Sequence, residues 1–174
     1  MQQLDRTVLT GALGLGALAG MRGLSAPAVL SAALVRNGAG RSASWPLRLL
    51  SSRAGASLVS VLAAGEFVAD KTPFVQDRVK PVPLAGRALM GAASGTMLAL
   101  FRRRTFTVPA LAGAASAVAS AFAAYHVRRA AGRALHVPDA ILGAAEDALV
   151  VALGWRLAAL AGGGRKTRMF RLRR

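Results

Sequence analysis

The sequence predicts an all-α protein, a polytopic transmembrane helical bundle, and three observations predict it. Of the 174 residues 54% are hydrophobic and only 17% are charged, with a mean hydropathy of +0.44, a composition suited to lipid rather than to a soluble domain. The apolar residues fall in long charge-free runs separated by short arginine clusters, which is how membrane loops punctuate spans. These runs are rich in Ala, Leu, Val and Gly and lack a period of two, so helices and not barrel strands are expected.

Five spans follow in order, over about 5–35, 54–72, 86–101, 106–127 and 139–161. The first is too long to be one straight crossing. As a single helix, Leu4 to Val35 would measure about 48 Å against a hydrocarbon core of about 30 Å. It must tilt, protrude or break, and Gly23 and Pro27 flank the expected break; if the second half returns as its own span, the count becomes six. Between the first two spans, Ser42 to Ser52 carries Trp, Pro and Arg beside leucines, which reads as a short amphipathic piece at the interface. Thr72 to Pro83, with three prolines, reads as a connecting loop. Residues 1–162 are expected to form one transmembrane domain, and 163–174 a basic cytoplasmic tail on anionic headgroups.

Small residues recur four apart at Gly16 and Gly20, at Gly91 and Gly95, and along Ala112, Ser116, Ser120 and Ala124. Such stripes let membrane helices approach closely, and packing inside one bundle is the favoured use, with a homo-oligomer left open.

The net charge of +16 raises nucleic acid as a partner, but no aromatic stacking platform or finger motif accompanies the arginines. Headgroup contact and topology are the better use of this charge. Counted over five spans, one side holds about 8 positive residues and the other about 13, so the richer side, with the C-terminus, is expected in the cytoplasm of a bacterial inner membrane. The chain has no cysteine, which excludes disulfides, thiolate metal sites and a cysteine nucleophile. The leader MQQLDR carries one acid and one base before an apolar stretch longer than a signal peptide's, so no cleavage is expected.

Only seven residues are acidic, and Glu66, Asp70, Glu146 and Asp147 fall in or beside predicted spans. A carboxylate in hydrocarbon is costly unless paired, hydrated or neutralised, which makes each a candidate site residue. Glu66 and Asp70 share a helical face, and Glu146 lies about 10 Å into the last span. Five spans bring both pairs to one side, where His126 also falls, with Arg128 and Arg129 just beyond. Lys71 and Arg22 complete the candidate ligand-binding set. Arg22 is notable because it ends an apolar run just before the expected break.

Three uses fit this group. The carboxylates could carry a cation or a proton-coupled solute, hold a hard divalent ion for membrane-embedded catalysis, or pair with Arg and Lys between helices. No GxxxxGK nucleotide loop, HExxH, GxSxG or aspartate-rich transferase motif occurs. An enzyme is therefore not the expectation, and no cofactor is expected. Arg22 followed by Glu66 and Asp70, then His126 and Arg128 followed by Glu146 and Asp147, form an echo in opposite orientation, as in inverted-repeat transporters.

The stretches GALAGMRGLSAPA (16–28), GEFVADKTPF (65–74), PLAGRALMGAASG (83–95), AAYHVRRAAG (123–132) and AEDALV (145–150) resemble a bacterial integral membrane family, domain of unknown function 4126. The resemblance extends from about residue 8 to 155. Its most specific part is Glu66 with Asp70, Lys71 and Pro73. It implies a multi-pass membrane protein and implies no particular activity.

Overall fold

A computed structural model describes residues 5–38, 45–69, 79–135 and 139–162, and among these all regular structure is helical. The seven helices are α1 (Arg6–Met21), α2 (Ser25–Arg36), α3 (Trp45–Leu50), α4 (Arg53–Ala69), α5 (Pro81–Phe101), α6 (Thr107–Leu135) and α7 (Asp139–Gly162). Asp70, Lys71, most of the 72–83 loop and the 163–174 tail lie outside the described residues.

The long first apolar segment breaks at Arg22–Leu24, beside the glycine expected there. The two halves do not continue in line. Leu18 of α1 and Val29 of α2 both reach the space above the Gly154 Cα, whereas eleven residues of straight helix would separate them by about 16 Å. Arg6, Thr7 and Thr10 likewise share one cavity wall with Leu30 and Ala33. Thus α2 folds back along α1, and the pair is a helical hairpin.

The remaining directions follow from the contacts. Leu98 of α5 sits against Gly11 while Arg87 reaches Gly20, so α5 is antiparallel to α1. Ser116 and Ser120 of α6 donate to the Leu13 and Ala17 carbonyls at 2.7 and 2.9 Å, so α6 runs parallel to α1. Leu157 of α7 packs on Gly14 while Asp147 meets Arg22, making α7 antiparallel to α1. One end of the bundle therefore collects the α1–α2 break, the C-terminal end of α4 and the N-terminal parts of α5 and α7.

Close approach dominates the centre. A Cβ on Gly16 or Gly91 would fall on the Gly113 carbonyl, and one on Gly20 on the Ala117 carbonyl. The glycine pairs read from the sequence are thus used inside the bundle. On α6, however, the buried face is Pro109, Gly113, Ala117 and Ala121, one position round from the expected stripe, of which Ser116 and Ser120 supply hydrogen bonds.

Helix boundaries differ from expectation in two informative places. α5 begins at Pro81 rather than near 86, because a proline at the first helical position forfeits no hydrogen bond. α6 runs to Leu135, well past 127, since arginine is a good helix former and the basic run simply continues the helix. Within the Ser42–Ser52 segment a short helix, α3, is present, with Leu47 buried and Trp45, Arg48 and Leu49 exposed.

Candidate functional site: a charged clamp on a broken helix

The α1–α2 break leaves two helix ends inside the bundle, and neither has local help. α1 has no basic residue in its last turn, α2 has no acidic residue in its first turn, and Leu24 at the α2 N-cap offers no side-chain hydrogen bond. Unsatisfied carbonyls and N–H groups with the helix partial charges are left to be neutralised.

Distant helices supply what is missing. Glu66, near the end of α4, accepts from the Gly23 and Leu24 backbone N–H groups, each at 2.8 Å. Arg87, in the second turn of α5, donates to the Gly20 and Met21 carbonyls at 2.7 and 2.8 Å. A negative charge thus sits on the N-terminal side of α2 and a positive one on the C-terminal end of α1, the signs that the helix dipoles favour. Arg87 and Glu66 face each other at 3.9 Å.

Arg22 lies in the break itself and is only 2% exposed. Its guanidinium pairs with Asp147 of α7. Next to it on α7, Glu146 pairs with Arg128 of α6 at 3.5 Å, and the Arg128 guanidinium lies over the bare face of Gly143. Among the described residues the group matches three carboxylates, Glu66, Glu146 and Asp147, with three arginines, Arg22, Arg87 and Arg128. Counted along α5 and α7, these side chains start about 9–12 Å inside their helices.

The structure therefore brings together Arg22, Glu66, Glu146 and Asp147 from the expected set. It leaves His126 on the exposed face of α6, edge-on to Tyr125 at a ring distance of 5.3 Å. Asp70 and Lys71 lie outside the described residues. Arg87 was not singled out by sequence, although a lone arginine between Pro83 and Met90 of an apolar helix is the same signal that marked Arg22. No cluster of three metal-ligating side chains occurs among the described residues.

Two described helices, α5 and α6, are long and apolar enough to cross a membrane. Comparison with known proteins adds no relative: the sequence matches no family model, no curated protein and no solved structure.

Proposed function

We propose that this chain is a multi-pass membrane protein whose intramembrane charges act as a clamp that closes a helical hairpin within the bilayer. The observation that carries this reading is the double capping of one break, Glu66 on the N–H groups of Gly23 and Leu24 and Arg87 on the carbonyls of Gly20 and Met21. Non-helical backbone at membrane depth is tolerated only where such groups are satisfied by protein or water. Balanced charge also speaks against a dedicated cation site, because each carboxylate of the group already faces an arginine or backbone N–H groups.

Several features support the bilayer setting. The apolar stretches of α5 and α6 are only 33% and 22% buried, the reverse of a soluble core helix, and Leu58, Val61, Leu89, Leu111 and Val151 stand exposed on the outside. Trp45 and Trp155, 70% and 76% exposed, lie toward the end opposite the clamp, as interfacial aromatics do. With α2 folded back, Arg6 joins Arg36, Arg48, Arg53 and the Arg102–Arg104 turn at that end. We therefore assign that end to the cytoplasm of a bacterial inner membrane.

A second reading, movement of a cation or proton-coupled solute, is favoured by the discontinuity itself, because transporters place their sites at half-helix ends. Thermal unfolding in detergent across Na⁺, Mg²⁺ and pH, with Glu66→Gln and Asp147→Asn beside wild type, separates the two. The clamp predicts variants that unfold earlier and no saturable ion-dependent gain. A saturable gain in wild type that both variants lose, followed by flux of that ion in vesicles, would replace the clamp by a transport site.

A further inference from the structure

At the end opposite the clamp, α1, α2, α5 and α7 enclose a cavity of about 260 Å³. Its deeper wall is apolar, from Leu15, Val29, Leu30, Leu98 and Leu157, while Arg6, Thr7, Thr10 and Arg102 line it nearer the helix ends. No carboxylate lines it among the described residues. The gradient follows from register: Arg6 opens α1 and Leu15 lies more than two turns further in, and Arg102 closes α5 with Leu98 one turn deeper.

We propose that this cavity seats an acyl chain of an anionic phospholipid from the cytoplasmic leaflet, with the headgroup phosphate held by Arg6 and Arg102. Charge complementarity and shape choose the occupant. Two guanidiniums over a carboxylate-free apolar slot match a phosphate followed by hydrocarbon, and basic pockets between membrane helices are a known setting for anionic headgroups. The volume lies below the roughly 300–1,000 Å³ of sites that engulf a whole small ligand, so part of one chain enters and the headgroup stays at the surface. The turn that carries Arg102 is built to hold this position. The Arg103 N–H donates to Leu100 and the Arg104 N–H to Ala99, at 3.0 and 2.9 Å, with Arg103 at φ 55° where glycine is usual. Arg104 meets Asp5 at 3.6 Å and ties the turn to the start of α1.

The inference rests on the membrane reading, which is tested separately by fractionating expressing cells: recovery in the soluble fraction without detergent would overturn both. For the site itself, delipidated protein in a neutral maltoside detergent is titrated with phosphatidylglycerol, phosphatidylcholine, oleate or inorganic phosphate while its unfolding temperature is followed. A saturable rise with phosphatidylglycerol and none with phosphatidylcholine is expected. The Arg6→Gln/Arg102→Gln variant, altered near the surface, should need about tenfold more phosphatidylglycerol. Ala33→Phe, which fills the cavity from α2, should abolish the response. Equal responses to the two phospholipids, a full response to oleate or phosphate alone, or a phosphatidylglycerol response intact in both variants would each overturn the proposal.

Discussion

The α1–α5–α6 seam and the clamp at the α1–α2 break hold helices by opposite means. In the seam, side chains are removed: Gly16, Gly91 and Gly113 bring backbone onto backbone, and Ser116 and Ser120 add hydrogen bonds to α1 carbonyls. At the clamp, Glu66 of α4 and Arg87 of α5 finish two helix ends that have no caps of their own, and Asp147 of α7 pairs with Arg22 in the break. In the proposed bilayer setting, lipid offers helices little hydrophobic reason to associate, so close packing must supply it. The clamp works because polar backbone away from water costs free energy until it is paired. One region depends on shape and the other on charge, and substitutions should tell them apart.

The largest expected effect is at the charge. Asp147→Asn takes the opposing charge away from the buried Arg22 guanidinium and should cost about 3–5 kcal/mol, whereas Arg22→Met with Asp147→Leu removes both charges and should recover most of it. A double-mutant cycle by chemical or thermal unfolding in detergent checks this, and equal costs for the single and double variants would dissolve the ion pair as a unit. Next is the seam. Gly113→Val puts a branched side chain against the Gly91 carbonyl and should cost about 1–3 kcal/mol or more. Its control is Gly86→Ala on the facing α5 helix, where an added Cβ meets nothing within 4 Å and should gain about 0.5–1 kcal/mol.

Smaller effects sharpen the contrast. Glu66→Gln keeps an acceptor for the Gly23 or Leu24 N–H but loses the charge, so about 1–2 kcal/mol should go, with little effect on the seam. Measured as amide exchange, the loss should appear in α2 before α6. Smallest of all, Arg103→Gly relieves the left-handed turn residue and should gain about 0.5–1 kcal/mol after the added freedom of the unfolded chain is counted.

Much of the clamp was legible before its geometry was known, for a physical reason. In a bilayer a segment of about 48 Å would have to tilt, protrude or break to suit a core of about 30 Å, with Gly23 and Pro27 flanking the expected break, and a carboxylate inside an apolar run calls for a partner, which marks Glu66, Glu146 and Asp147. What the partners are was not legible. Glu66 faces backbone N–H groups, which no residue pattern announces, and Arg87 stands at the very edge of the expected 86–101 span, whereas the helix starting at Pro81 carries it into the second turn. The return of α2 along α1 depends on Leu18, Val29 and Gly154 meeting, residues far apart in sequence that local periodicity does not connect. Expecting His126 in the group assumed that a residue at a span's end faces the bundle. α6 continues beyond it and turns His126 outward.

The central claim is that α1 and α2 form a hairpin held shut by Glu66 and Arg87, and a distance measurement tests it most directly. The chain has no cysteine, so nitroxide labels at Thr7→Cys and Arg36→Cys report one distance by pulsed electron resonance. A hairpin predicts a narrow distribution below about 25 Å, against about 44 Å for a continuous helix of the same residues. In the Glu66→Gln/Arg87→Met background the distribution should broaden toward longer distances. A wild-type distance near the continuous-helix value, or a short distance indifferent to the loss of both charges, would contradict the account.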